Sequence, residues 1–265
     1  MRRLIWLICV SCLWGEDELE SNRERIRVSL TKLLHREKTK ADLLYVRRLE
    51  KRELGPNGEV KSSTVNVTRR DPWEEQVVVR LLSKDDKPLP PEEVQKQEER
   101  LRKLVAEYRK NPPESKMEEA AWLTEMPDAL DFQCVGTEQH KGRKTDIYAF
   151  TPKAGYKAKH ARARAFEKIN GKVWIDDLDN EVTRLEVFVF DTINIGFGML
   201  GKVEKGTNYE MSRKKWDAGL WYEEWQRVRF DVRVMMVKTI RQEIETRWSN
   251  LKVRPPVKAL GGGGL

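Results

Sequence analysis

The hydrophobic positions along the chain change period once near the N-terminus. Within residues 16–38 the apolar side chains recur every three or four positions among charged ones: Ile26, Leu30, Leu33 and Leu34. This spacing predicts an amphipathic helix with one stripe on the core. From residue 43 onward the pattern alternates, and the stretches 43–54 and 59–70 flank Asn57-Gly58, a dipeptide typical of a tight β-hairpin.

A helical insertion is predicted to interrupt the strands at about residues 91–126. Pro91 suits the first turn of a helix, and the charged residues that follow it are spaced for ion pairs between successive turns. Ser115 and Glu118 fit a capping box, which predicts a second helix that ends at Pro127.

From Leu130 onward the alternation predicts an antiparallel meander with candidate strands at 130–139, 143–151, 163–169, 172–176, 182–191, 203–215, 219–236 and 239–249. The long strand 219–236 carries apolar residues on one face and charged residues on the other. Such a sheet needs a cover for its apolar face. The prediction is therefore an α+β fold, a curved antiparallel β-sheet (half-barrel) with amphipathic helices covering the concave apolar face.

Four carboxylates lie close together between two of the predicted strands: Asp176, Asp177, Asp179 and Glu181. Alternating carboxylates are the ligands that calcium needs, but the regular spacing of a calcium loop and its distant bidentate glutamate are missing. Asp and Asn also favour turns through their own backbone hydrogen bonds. We therefore interpret this stretch as a polar turn between two antiparallel strands.

No residue pattern in the sequence predicts catalysis, a metal or a cofactor. The three histidines, His35, His140 and His160, lack ligand spacing. Cys134 lies on a predicted strand, where a small buried side chain is the expectation. Phosphate loops, dinucleotide fingerprints and nucleophile elbows are also missing from the sequence.

The first fifteen residues resemble a secretory signal, because two arginines precede a short apolar run. Cys9-Val10-Ser11-Cys12 is similar to a lipoprotein cleavage box, which makes Cys12 the candidate for lipidation; simple cleavage near Gly15 is the alternative. Residues 16–252 are then expected to form one domain. Residues 253–265 have the composition of a linker and are predicted to be a disordered tail.

The charge balance argues against nucleic acid as a partner. The formal net charge is +8, but 51 basic and 43 acidic residues are interleaved, and no dense basic block or zinc-finger spacing occurs. Outside the cytoplasm, attraction to anionic lipid head groups is a natural use for the positive excess.

Several stretches between Asp42 and Leu251 resemble a known family: "DKPLPPEE", "GKVWIDDLDNEVTRLEV", "NIGFGMLGKVEKGTNYEM" and "GLWYEEWQRVRFDVRVMMVKTIRQEIETRW". They are similar to the bacterial lipoprotein carrier-like (LolA/LolB-like) half-barrel family, of the outer-membrane lipoprotein-sorting type. The resemblance implies a protein without catalytic activity that holds acyl chains between a curved sheet and its helices.

These observations lead to two hypotheses for an exported protein of the periplasm, with or without an outer-membrane anchor. In the first, the protein binds or carries a lipid or lipoprotein acyl group, and six apolar residues line the cavity: Phe188, Phe190, Phe230, Val232, Val234 and Met236. In the second, these side chains fill an ordinary core, and the protein is a structural or regulatory module that binds an envelope protein partner.

Overall fold

The computed structural model describes residues 20–33, 43–73, 76–110, 122–195, 201–216, 219–234 and 237–254. The predicted signal, Cys12 and Met236 lie outside these ranges, as does nearly all of the predicted tail. Helix α1 covers residues 20–33, α2 covers Pro91–Lys110 and α3 covers Met126–Ala129. A 3-10 helix covers Ala161–Lys168. None of the described helices is both long enough and apolar enough to cross a membrane.

The described strands are β1 Leu43–Leu54, β2 Val60–Trp73, β3 Gln76–Lys84, β4 Lys87–Pro88, β5 Leu130–His140, β6 Arg143–Pro152, β7 Ile169–Asp176, β8 Val182–Val189, β9 Ile193–Ile195, β10 Gly201–Val203, β11 Asn208–Lys215, β12 Trp221–Val234 and β13 Lys238–Val253. They form one open, curved antiparallel sheet in the order β4-β3-β2-β1-β13-β12-β11-β8-β7-β6-β5, while β10 pairs with β12 and β9. The α+β class and the curved antiparallel sheet are confirmed.

The main core lies between α1, the 3-10 helix and the β5–β8 half of the sheet. Ile26 and Leu30 of α1 are buried, as the helical spacing predicted, and they join a cluster that includes Phe150, Val173 and Leu185. The face of the sheet that meets this cluster is called the core face below, and the opposite face is called the outer face.

Gly171 of β7 allows close packing in this core. A Cβ atom at this position would lie 1.9 Å from the carbonyl oxygen of Glu186 and 2.6 Å from the ring of Phe150. The absence of a side chain therefore lets the Phe150 ring approach the sheet directly.

Helix α2 packs against β3 and forms a smaller cluster. Leu101 and Val105 of the helix are buried against Val78. The side chain of Gln97 accepts a hydrogen bond from the backbone N–H of Leu81 (2.7 Å) and donates one to its carbonyl (3.2 Å). These bonds fix the helix to an edge region of the sheet.

Three predictions about secondary structure were wrong. The strand predicted at 203–215 is divided, because a turn at residues 204–207 separates β10 from β11. Residues 163–169 were predicted as a strand, but Ala161–Lys168 is a 3-10 helix, because Ala163 and Phe166 point into the core at a spacing of three. Ser115 and Glu118, the predicted start of the second helix, lie outside the described residues. Pro127, its predicted end, lies in the first turn of α3, where proline needs no N–H partner. The predicted hairpin at Asn57-Gly58 is confirmed, and Gly58 adopts a positive φ of 82°.

Candidate functional site

A cavity of about 760 Å³ lies between the 3-10 helix and the short strands β9 and β10. Its volume is in the range of sites that hold small molecules. Apolar side chains line its interior, and charged ones are present along the 3-10 helix. The described lining residues are Trp122, Ala161, Arg162, Arg164, Ala165, Glu167, Lys168, Ile193, Asn194, Ile195 and Val203.

The 3-10 helix forms one wall of this cavity, and two of its residues, three positions apart, anchor it in the core. Ala163 and Phe166 are buried, and the Phe166 ring lies 5.3 Å from the ring of Trp122, measured between centroids. Arg162 and Arg164 remain exposed on the same helix. The helix therefore turns Ala163 and Phe166 toward the core, while its other residues line the cavity, two of them alanines and four of them charged.

A continuous apolar row extends from the cavity across the sheet. Val203 pairs with Ile193 on one side and with Val232 on the other, and Val232 pairs with Ile240. Residues that pair directly across antiparallel strands point to the same face. Ile193 packs against the main core, so the row lies on the core face and continues the cavity lining onto β12 and β13.

Three of the six predicted lining residues share this face. Val228 pairs with Tyr209, which packs against the main core, and Phe230, Val232 and Val234 follow Val228 at every second position. All three are partly buried. None of the three lines the cavity itself, but Val232 pairs with Val203, which does.

The two remaining described residues of that prediction lie elsewhere. Asn208 pairs with both Phe188 and Arg229, so Phe188 shares the outer face with Arg229, opposite Phe230. Phe188 is 44% exposed and lines a separate cavity of about 480 Å³ on that face. Phe190 follows the end of β8, is 41% exposed, and donates its backbone N–H to Lys168. The five described residues of this prediction therefore do not form a single lining.

The sequence did not identify Trp122, Ala165, Ile193 and Val203 as lining residues. The main reason is that residues 163–169 were predicted as a strand, which placed Ala165 in the sheet. The sequence signal for the 3-10 helix is the spacing of Ala163 and Phe166 within "ARARAFEK". These two apolar residues are three positions apart, and both are buried.

Glu125 fixes the segment that leads into the 3-10 helix. Its buried carboxylate accepts hydrogen bonds from the Tyr156 hydroxyl and from the backbone N–H groups of Lys159 and His160, both at 2.9 Å. The His160 ring contacts it as well. Burial by itself favours a higher pKa for Glu125, but these donors outweigh it and lower the pKa to about 2.

The acidic stretch after β7 is a turn, as predicted, and basic side chains surround its carboxylates. Arg143 donates two hydrogen bonds to Asp176, at 2.6 and 2.7 Å. Burial acts to raise the pKa of Asp176, but these bonds and the backbone N–H of Asp179 lower it overall. Lys215 and the indole N–H of Trp221 donate to Asp179, and both lower its pKa.

Helix α1 is fastened to the same turn. The Arg25 guanidinium donates to Asp146 and to the side chain of Asn180 (3.0 Å), while Lys32 donates to the carbonyl of Asp179 (2.7 Å). These bonds attach α1 to the acidic turn and to β6.

A buried ion pair lies beside this turn. Arg213 and Glu181 are almost fully buried and lie 3.4 Å apart, and Arg213 also donates to the carbonyls of Val182 and Trp221, both at 2.9 Å. These bonds join β11, β8 and β12 at one end of the sheet.

The expectation of a buried cysteine was wrong, because Cys134 is exposed on the edge strand β5. Within the described ranges, no three His, Cys, Asp or Glu side chains come together as metal ligands.

Comparisons with known proteins give similarity at the level of solved structures. No protein-family model and no curated protein matches the chain. A DUF1329 family protein from Desulfovibrio piger is 13% identical, with a TM-score of 0.31 and coverage of 89% of this chain and 92% of its own. A putative outer membrane lipoprotein-sorting protein domain from Vibrio parahaemolyticus is 9% identical, with a TM-score of 0.30 and coverage of 85% and 93%.

A LolA superfamily protein from Nitrosomonas europaea is 7% identical, with a TM-score of 0.27 and coverage of 80% and 86%. Two of these three proteins are of the type that the sequence resembles. At such identities and TM-scores, the matches assign no ligand, activity or partner to this chain.

Proposed function

We propose that this protein is an envelope protein that binds a lipid or lipoprotein acyl chain by hydrophobic burial, without catalysis. The observation that carries the proposal is the cavity of about 760 Å³ beneath the 3-10 helix. An acyl chain gains about 0.8 kcal/mol for each CH₂ group that it buries, so an apolar cavity of this size is sufficient for binding.

The apolar row defines the path that we propose for the acyl chain. Hydrocarbon enters between Ala165 and Ile195, passes Val203, and extends along the core face toward Val232 and Ile240. The half of the core face beneath α1 is already filled by side chains, including Ile26 and Phe150. This restricts the binding site to the part of the sheet formed by β9, β10, β12 and β13.

The location is proposed to be the periplasm, in agreement with the signal-like N-terminal sequence. Replacement of Cys12 by Ser tests the outer-membrane anchor. If Cys12 is lipidated, the variant becomes soluble in the periplasm; unchanged fractionation would eliminate the anchor.

The binding proposal is tested by titrating the protein with a fluorescent fatty-acid analogue. Ala165→Trp places an indole inside the cavity and should weaken binding at least tenfold, since the volume available to the chain is reduced. Ala154→Trp is the matched control, because Ala154 is exposed on a turn outside the lining. Equal affinity of the two variants, or no binding by the unmodified protein, would contradict the proposal.

A further inference from the structure

A basic segment lies beside the cavity. Residues 153–168 contain six lysines and arginines and one acidic residue, Glu167. Four of the six basic residues are exposed: Lys157, Lys159, Arg162 and Arg164. This local excess contrasts with the interleaved charges of the rest of the chain.

The segment has a fixed backbone. Glu125 accepts hydrogen bonds from two successive N–H groups within it, and the N–H of Lys153 donates to the carbonyl of Ala129 (3.0 Å). Ala163 and Phe166 are buried in the core. The basic side chains therefore project from a rigid surface, which reduces the entropy lost when they bind a partner.

Exposed apolar side chains lie next to these charges. Ile195, which lines the cavity with Arg162 and Arg164, is 47% exposed. Phe190, bonded through its backbone to Lys168, is 41% exposed. Basic residues that flank exposed apolar side chains are the pattern of a surface that lies on an anionic bilayer, with charges at the head groups and apolar groups at the acyl boundary.

We propose that residues 153–168 form a docking face for an anionic bilayer surface and bring the cavity to the membrane. The inference rests on the proposed function, since docking would allow an acyl chain to pass between bilayer and cavity. Charge complementarity selects the partner: the exposed side of the segment is cationic, and the exposed apolar groups beside it favour a lipid surface over nucleic acid.

The test is co-sedimentation of the full chain with vesicles. One set is phosphatidylcholine, and the other is an equimolar mixture of phosphatidylcholine and phosphatidylglycerol. The triple variant K157Q/K159Q/R164Q removes three exposed charges. The matched control K96Q/R100Q/K103Q removes two lysines and one arginine from exposed positions of α2, so both variants have the same net charge.

We expect preferential binding of the unmodified protein to the anionic vesicles. The first triple variant should lose on the order of a hundredfold in affinity, while the α2 variant changes little. Equal losses in both variants, or no preference for anionic vesicles, would overturn the inference. It would also be overturned if a short DNA duplex competes fully with the vesicles for the unmodified protein, since the partner would then be nucleic acid.

The fatty-acid titration of the unmodified protein and of K157Q/K159Q, which leaves the cavity lining unchanged, separates this inference from the proposed function. Retained fatty-acid binding with no vesicle preference in the unmodified protein refutes docking alone. Vesicle binding that depends on the basic segment, without any fatty-acid binding, refutes the cavity proposal and removes the purpose assigned to the docking face.

Discussion

Replacing Glu125 with Gln tests whether one carboxylate holds the cavity wall in place. One oxygen accepts from the Tyr156 hydroxyl and the N–H of Lys159, and the other faces the N–H and ring of His160. A glutamine has one oxygen and one NH₂ group. In either orientation, the NH₂ group replaces one carboxylate oxygen. The two groups that contacted this oxygen then face a donor and lose their acceptor.

The cost follows from the two hydrogen bonds that are lost. Bonds to a charged acceptor contribute about 1.5 kcal/mol each at the lower end of their range, so Glu125→Gln should reduce the free energy of unfolding by about 3 kcal/mol. For a chain of this size, that corresponds to a decrease of about 6–12 °C in Tm.

The effect should also depend on pH. The folded pKa of Glu125 is about 2, below its ordinary value of 4.5. The carboxylate therefore stabilises the fold fully above the unfolded pKa, and this stability is lost as the pH falls from about 4.5 toward 2. The difference between the unmodified protein and Glu125→Gln should shrink over the same pH range.

Thermal unfolding followed by circular dichroism between pH 7 and pH 2.5 measures both effects. Glu138→Gln is the control, because Glu138 is exposed on the edge strand β5. A Tm at pH 7 equal to that of the unmodified protein, or a difference that stays constant down to pH 2.5, would refute the reasoning.

Three further substitutions test the packing that supports the site, each by urea unfolding. Arg213→Ala leaves Glu181 buried without its guanidinium partner, so we expect a loss of about 3–5 kcal/mol; a loss below about 1 kcal/mol would contradict this. Gly171→Ala forces a Cβ atom against the carbonyl of Glu186 in β8 and should reduce the free energy of unfolding by about 2 kcal/mol. Unchanged stability would contradict this. Asp176→Asn weakens the paired hydrogen bonds from β6 and should cost about 2 kcal/mol, whereas the same change at the more exposed Asp177 should cost less.

The sequence predicted the sheet well because its information is local and periodic. Alternation identifies a strand such as β12, and Asn57-Gly58 identifies the β1–β2 turn directly. The faces of separate strands relative to one another are harder to predict. Phe188 and Phe230 each fit the apolar alternation of their own strand, which does not show how the two strands face each other. Asn208 pairs with Phe188 and with Arg229, the neighbour of Phe230, and this pairing places Phe188 and Phe230 on opposite faces.

The cavity could not be predicted from strand patterns because its wall is the 3-10 helix. Alternating Ala and Arg at residues 161–165 has the period of a strand, and the buried pair Ala163 and Phe166 is a short signal against it. The lining also combines Trp122 with Val203, which are far apart in sequence and meet only in the folded chain.

Photo-crosslinking with a diazirine fatty acid, followed by peptide mass spectrometry, tests the central claim most directly. The account predicts adducts within residues 161–168, 193–195, 201–203 and 228–234, and their loss when an excess of unlabelled fatty acid competes. Adducts centred on Phe188 and the outer face, or labelling that unlabelled fatty acid does not displace, would contradict acyl-chain binding in this cavity.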